Sequence, residues 1–503
     1  MNLFNVLTRQ VSSRALEHCV LCEDYGLVTY AELYQQSGRY AQVLVQLGVQ
    51  PGDRVAAKTD KGVTSLFLYL AVLRVGGAYL PLNTGYTPAE IEYFLSDATP
   101  RLLICPQSEQ EKLSPVVDLL SATSIETLEA DGGGTLAERA QAADETHTVV
   151  DRDADQLAAI LYTSGTTGRP KGAMITHGSL ISNLEALTST WRYQPTDRLI
   201  HALPMFHSHG LFVACNLTLA NGASMFFLKK FNPLRVMELM AEATVLMGVP
   251  AFYVRLLANP GFTRETAAPM RLFVSGSAPM TEEVHKAFVE RTGQQVLERY
   301  GMTEANMITS NLYDKRKIGS VGPALPDVEV RVSDPEQGGT PVSGQVGMVE
   351  IRGRNLFKGY WNQPEKTAEE FTDDGFFITG DLGILDQDGF LSIVGRSKDL
   401  VISGGYNVYP KEIEQQLDAV SGIAESAVVG VPHPDLGEGV FAVVVADGTT
   451  ELDLETLRTA LGEHLAAYKV PKRLVLADSL PRNTMGKVQK NLLRELYQNE
   501  FIR

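Results

Sequence analysis

The stretch TSGTTGRPKG at 163–172 carries the most chemistry per residue in the chain. Glycines let backbone N–H groups come close to phosphate oxygens, while Ser and Thr hydroxyls and Lys171 add donors and positive charge. The apolar strand-like LAAILY runs directly into it. Neither a G-x-x-x-x-G-K-[ST] register nor G-x-G-x-x-G fits, so on composition alone a flexible turn is an equal reading. A second candidate is weaker. Cys19 and Cys22 form a C-x-x-C beside His18, but Cys105 and Cys215 stand alone. A structural zinc site needs a second ligand pair, and four cysteines are no disulfide scaffold. The pair reads as small apolar residues on an early strand, in a reducing, cytoplasmic setting.

The elements that must position such a loop alternate between two periods. TYAELYQQSGRYAQVLVQLGV opens on Thr29, whose hydroxyl can cap a helix, and Leu33, Tyr40, Val43, Leu44 and Leu47 fall on one face. RVAAKT, AYLPL and LLICP read as short buried strands, with TSLFLYLAVLRVG a helix between the first two. That order predicts an α/β fold with parallel sheets, repeated from Asp151 to Pro279. From about 320 to 393, VEVRV, GMVEIRG, FFITGD and FLSIVG are separated by Gly, Pro and Asp, predicting a small antiparallel barrel or meander. GRSKDLVISGG at 395–405 suits a hinge. The remainder reads as a small α+β module of order helix, strand, strand, helix, strand, helix. We therefore expect a large domain over 1–397 and a mobile one over 398–503.

The 503 residues carry 44 basic and 60 acidic side chains, a net −16, which argues against general nucleic-acid binding but not against a local anion site. Hydrophobic residues at 44% and charged residues at 21% exclude disordered and fibrous classes. No run is a membrane span: Leu66–Leu82 is broken by Arg74, Gly76 and Gly77. The first twenty residues, with Arg9 and Arg14 and no acid before Glu17, read as one amphipathic helix rather than a removable leader.

The string TSGTTGRPKG resembles the signature of the adenylate-forming superfamily, which includes acyl-CoA synthetases, luciferases and nonribosomal adenylation domains. YGMTE at 300–304, FFITGD at 376–381, GRSKDLVISGG and PRNTMGKVQK at 481–490 follow in the family's order. The resemblance implies a large N-terminal and a small mobile C-terminal domain, and a two-step reaction. A carboxylate first attacks the α-phosphate of ATP, and coenzyme A then takes the acyl group from the adenylate. Both partners of the first step are anions, so charge compensation must dominate it.

By the same resemblance, Lys487 bridges substrate carboxylate and α-phosphate, and Glu304 holds Mg²⁺, with Thr167 as a second metal contact. Thr163, Ser164, Gly165, Thr166, Thr167, Gly168 and Lys171 hold phosphates, and Thr303 binds the α-phosphate. Tyr300 stacks on adenine beside Arg299, Gly301 and Met302, while Gly276, Ser277 and Ala278 line the adenine and acyl pockets. Asp381 and Arg396 read the ribose hydroxyls. Lys398 is the hinge, and Gly404, Gly405 and Tyr406 face coenzyme A. His207 and His209 occupy the place of an acyl-site gate, and His207 joins Lys487, Thr303 and Glu304 as a catalytic candidate.

Phe206-His207 stands where amino-acid adenylation domains carry Phe-Asp, and no carrier module follows. Arg255, in VLMGVPAFYVRLL, is the expected partly buried partner of a second substrate carboxylate, with Arg271 as a further candidate and Ser275 and Met302 flanking a small pocket. The phrases around these residues resemble malonyl-CoA synthetases. That implies malonate as substrate, with methylmalonate accepted. Other short, medium-chain or aryl acids, or donation of acyl-AMP to a carrier protein, are the alternatives. The resemblance also allows a lysine acetyltransferase and deacetylase acting on Lys487. The chain is expected as a monomer or homodimer without nucleic-acid or membrane partners.

Overall fold

The computed structural model describes every residue except 121–122, 164–169, 335–339, 342–343, 405, 451, 484–485 and 503. Local signals act as the sequence implies. Thr29 is extended and accepts the Glu32 amide, opening the helix Tyr30–Gln46, which buries Leu33, Tyr40, Val43 and Leu44. The helix Val63–Arg74 is apolar on every side and buried throughout. Such a helix belongs inside a core rather than on a surface.

It lies between two sheets. One has six strands in the order Ser124–Thr127, Leu102–Cys105, Arg54–Ala57, Ala78–Pro81, Leu157–Thr163, Lys171–Thr176. These are parallel except for the last pair, an antiparallel pair that sets Thr163 beside Lys171. The other has eight strands in the order Asn306–Ser310, Val296–Met302, Leu272–Ser275, Val245–Gly248, Arg198–His201, Ser224–Phe227, His18–Cys22, Gly26–Thr29, parallel except at its two ends. Alternation along each strand divides the apolar residues. Val55 and Ala57 join the cluster shared with Leu199 and Val245 of the second sheet, while Ala56 joins the outer cluster with Leu80 and Phe94.

The strands Val328–Asp334, Gly347–Gly353, Phe377–Leu385 and Leu391–Arg396 form an antiparallel meander, with Thr340–Pro341 on its first edge. Of the two forms expected, meander is the one observed. Val349, Ile351 and Phe377 bind it to the main core. Beyond it the order is Val401–Ser403, Tyr406–Val408, Pro410–Asp418, Ile423–His433, Gly437–Ala446, Leu454–His464, Arg473–Leu476 and Lys490–Tyr497. The last six elements match the expected order, and the sequence reading missed the short hairpin before them. Two apolar clusters cover the faces of this sheet, and no residue before Val401 belongs to either.

One expectation is corrected. The first twenty residues are not one helix but two short ones, Leu3–Leu7 and Val11–Arg14, followed by the strand His18–Cys22. Capping decides this. Asn2 accepts the Phe4 amide and donates to the carbonyls of Leu73 and Val150, while the Thr8 hydroxyl donates back to the Phe4 carbonyl. Cys19 and Cys22 are buried thiols on that strand. No described helix is long and apolar enough to cross a membrane.

Burial raises the Asp418 carboxyl to about 6, with Glu414 and Glu283 adding to the effect and the Ser426 hydroxyl and Lys411 opposing it. A carboxyl raised on folding adds stability that is complete below its unfolded value, about pH 4, and lost as pH rises through 6. Asp418→Asn is therefore expected to raise the melting temperature by roughly 2–4 °C at pH 8 and not at pH 4. Thermal unfolding at the two pH values checks this, and the reverse order contradicts it.

Candidate active site

Three adjacent parallel strands end nearly level, at His201, Gly248 and Ser275, and the fourth, Val296–Met302, pairs Glu298 with Ser275 and runs on to Met302. Carboxyl edges of parallel strands are where such sheets bind ligands, because side chains and loops converge there without competing for ladder hydrogen bonds. Met302 leads into a tight turn that places Thr303 and Glu304 before the antiparallel return strand Asn306–Ser310. Gly301 is required for that approach: a Cβ there would stand 2.0 Å from the Asn306 carbonyl oxygen.

The strand Val296–Met302 delivers Arg299 into the interior, 4% exposed. Among the described residues its Nε and Nη2 find no hydrogen-bond partner, and neither do Ser275 Oγ on the neighbouring strand or Nε2 of buried His209. Burial pulls the guanidinium down to about 9, opposed by Tyr253. Orphaned buried polar groups cost about 1–3 kcal/mol each, so a set of them marks where a polar ligand belongs. Gly276 makes room for it: a Cβ there would lie 2.3 Å from Arg299 Cζ. Ser277 sits in the left-handed region at φ 68°, with its hydroxyl 3.2 Å from His209 Nδ1. Ala278 follows, half-buried.

Asp381 lies on the strand Phe377–Leu385, accepting the Tyr300 hydroxyl at 2.5 Å and pairing with Arg396 Nε at 2.8 Å. Lys487 comes from the opposite side of the chain. It sits in a turn closed by the Arg482–Val488 bridge, where its amide donates to Asn483 Oδ1 at 3.0 Å. Although solvent reaches it, desolvation lowers its ammonium, and Arg396 and Arg299 do so further, opposed by Asp381 and Glu304. Burial, Lys487 and Arg299 bring the His207 imidazole to about 3, so it is neutral at pH 7. Six expected residues, His207, Arg299, Glu304, Asp381, Arg396 and Lys487, thus share one electrostatic neighbourhood across some 280 positions of sequence.

Two residues the sequence reading missed complete the other end. The Tyr360 hydroxyl reaches Glu304 Oε1 at 3.0 Å and Glu370 Oε2 at 2.7 Å. Lys171 Nζ pairs with Glu370 at 2.7 Å and lies 3.9 Å from the Tyr360 ring centroid. Burial raises the Glu304 carboxyl. The only signal was the string GYWNQPEKTAEEF, which spaces Tyr360 and Glu370 ten apart. Thr163 forms the last pair of its strand with Lys171, and its hydroxyl faces the Lys171 carbonyl at 3.5 Å. Ser164, Gly165, Thr166, Thr167, Gly168 and Gly405 lie outside the described residues. Lys398 is exposed in the turn Ser397–Asp399, which joins the meander to the C-terminal sheet. Gly404 has φ 59°, and exposed Tyr406 stacks on Tyr468 at 4.7 Å.

Both arginines expected at a second carboxylate are corrected. Arg271 is a structural ion pair, gripping buried Asp197 through Nε at 2.6 Å and through Nη2, and also donating to the carbonyls of Trp191 and Arg192. Arg255 is exposed rather than partly buried. It lies in the last turn of the helix Pro250–Leu257, over the Phe231 ring at 4.9 Å.

Fold and site together define an AMP-forming acid–CoA ligase, and the chain belongs to the AMP-binding enzyme family. Residues 7–361 match the model of that family, and 412–487 match the AMP-binding enzyme C-terminal domain. The chain is similar to the ATP-bound crystal structure of MatB from Rhodopseudomonas palustris, with 53% identity, 99% of each chain covered and a TM-score of 0.97. Against apo MatB of that organism the TM-score is 0.86 at the same identity and coverage. The mouse mitochondrial malonate–CoA ligase ACSF3 is 36% identical, over 96% of this chain and 89% of its own. The long-chain-fatty-acid–CoA ligase FadD13 of Mycobacterium tuberculosis is also 36% identical, over 93% of each chain.

Gly276→Ala would force the Arg299 guanidinium aside. We expect the KM for the acid to rise at least about tenfold with the fold intact by circular dichroism, a loss of roughly 1.4 kcal/mol. An unchanged KM would separate Arg299 from acid binding.

Proposed function

We propose that the chain is a malonate–CoA ligase, making malonyl-CoA, AMP and pyrophosphate through a malonyl-adenylate and accepting methylmalonate as a second acid. The observation that carries this reading is the buried, unpartnered guanidinium of Arg299 beside the unpartnered Ser275 hydroxyl. An apolar acyl chain would leave both unsatisfied, whereas a second carboxylate satisfies them together. MatB and the mouse ligase add the support of likeness.

In this reading Arg299 fixes the far carboxylate, so the near one points at the α-phosphate. Lys487 reaches between those two anions, lowering their repulsion as charge develops on the α-phosphate. Asp381 and Arg396 take the ribose hydroxyls, Tyr300 the adenine face, Thr303 the α-phosphate and Lys171 the outer phosphates. Neutral His207 closes the acyl side without adding charge to an already cationic cleft. Glu304 fits Mg²⁺, because it is a buried hard-oxygen donor. A metal held by one carboxylate, phosphates and water needs no more. When bound, Mg²⁺ would neutralise phosphate charge.

The domain boundary falls near Lys398, whose turn carries the chain from one sheet to the other. The likeness to ATP-bound MatB exceeds that to apo MatB, which fits a pose with Lys487 presented and Gly404 and Tyr406 in solvent. Coenzyme A would be met in a second pose, after rotation at Lys398.

Arg299→Gln is expected to raise the malonate KM by about a hundredfold or more while ATP affinity stays within about threefold. Steady-state kinetics with malonate, acetate and benzoate, beside ATP titration, checks it. Equal turnover of acetate or benzoate by the parent enzyme would contradict the diacid reading. The lowered ammonium of Lys487 gives a second expectation. Adenylation should fall as pH rises through a value below the 10.5 of an ordinary lysine, and thioester formation from supplied malonyl-adenylate should not. Separate pH profiles of the half-reactions test this.

A further inference from the structure

Lys171, Tyr360, Glu370 and Glu304 form a chain of contacts that the roles above use only in part. Tyr360 has one phenolic proton and two carboxylate acceptors, Glu370 Oε2 at 2.7 Å and Glu304 Oε1 at 3.0 Å. The ring, 2% exposed, is fixed, so the carboxylates compete for that proton. Glu370 is also the acceptor for Lys171, at 2.7 Å, with both side chains about a fifth exposed. Lys366, itself paired with Glu369, stands 3.7 Å from the same Glu370 oxygen. A carboxylate so placed does two things to an incoming polyphosphate: it occupies the cation the phosphate needs, and it repels the phosphate directly.

We propose that Glu370 is a positioning residue, a resident counter-ion that holds Lys171 when no polyphosphate is bound and recaptures it as pyrophosphate leaves. The inference rests on the reading of the 163–172 loop as the phosphate site. An ammonium left over a phenol ring with no anion would be poorly stabilised there, and Glu370 keeps it charged and aimed between turnovers. A polyphosphate carries more negative charge than one carboxylate and displaces it. Glu370, left without its cation, then takes the Tyr360 hydrogen bond for itself, and Glu304 Oε1 is freed from it. When pyrophosphate departs, the Lys171–Glu370 pair re-forms. Glu370 therefore weakens ground-state polyphosphate binding and favours product release.

The test is calorimetric titration of the full chain with ATP and with inorganic pyrophosphate in chelator, together with pyrophosphate inhibition in steady state. Glu370→Gln is expected to tighten both ligands about five- to twentyfold and to lower the pyrophosphate inhibition constant by a similar factor. Glu370→Asp, which keeps the charge, should stay near the parent. A damaged fold weakens binding, so tightening cannot come from it. Lys171→Ala should weaken both ligands about tenfold or more and erase most of the gain from Glu370→Gln when the two are combined. If Lys171→Ala changes neither affinity, the phosphate-site reading itself fails. If Lys171→Ala weakens binding but Glu370→Gln leaves it unchanged or weaker, the counter-ion inference alone is overturned.

Discussion

Two arginines are held close enough to the Lys487 ammonium to depress it at the carboxyl edge of the eight-stranded sheet. Arg299 and Arg396 both push the Lys487 ammonium down, and only Asp381 and Glu304 pull it back. Like charges gathered in a poorly solvated cleft repel strongly, because the interaction grows as the dielectric falls. The rest of the molecule supplies what holds them there. Arg299 stands on an interior strand of the main core, Arg396 on the edge of the meander, and Lys487 on a turn of the C-terminal module. The stored repulsion is relieved when anions arrive, and under the proposed function those anions are a dicarboxylate and the phosphates of ATP.

This division of labour explains why three structural parts meet at one place. A guanidinium without a partner is tolerated only if its surroundings cannot collapse onto it, and the four parallel strands with their outer aromatic cluster provide that rigidity. Under the proposed function Lys487 enters and leaves the site, and a cation that does so cannot stand on the same rigid frame. Lys487 is therefore carried on a module with its own apolar clusters, linked through the Ser397–Asp399 turn, where Asp399 pairs with Arg494 at 2.7 Å. Lys411 on this module feels Glu298 of the main sheet, a further electrostatic tie across the cleft.

Much of this was legible in the residues. Short β-branched runs between helical stretches marked the parallel sheets, and Thr29 marked a helix start that the cap confirms. Tyr300, Glu304, Asp381, Arg396 and Lys487 were marked by motifs that resemble the family's, and the structure brings them into one neighbourhood. The choice among arginines was not legible. Nothing in the sequence around Arg255, Arg271 and Arg299 separates them, and only tertiary packing decides which is left unpaired. Arg271 finds Asp197 across 74 positions, Arg255 finds an aromatic face, and Arg299 finds nothing. The bridge from Tyr360 to Glu304 was hidden for the same reason, since 56 positions separate them. The opening helix was misjudged because a capping asparagine outweighs periodicity over so few residues.

If one positive side chain on the C-terminal module makes the meeting of two anions possible, its removal must silence one half-reaction and spare the other. Rapid-quench kinetics of Lys487→Ala reads both: malonyl-adenylate and pyrophosphate formation from malonate and ATP, and thioester formation from synthetic malonyl-adenylate and coenzyme A. We expect a loss of about a thousandfold or more in the first, on the scale of removing a preorganised charge from a transition state, with the second within a few-fold of the parent. Equal losses in both half-reactions, or adenylation at the parent rate, would contradict this role for Lys487.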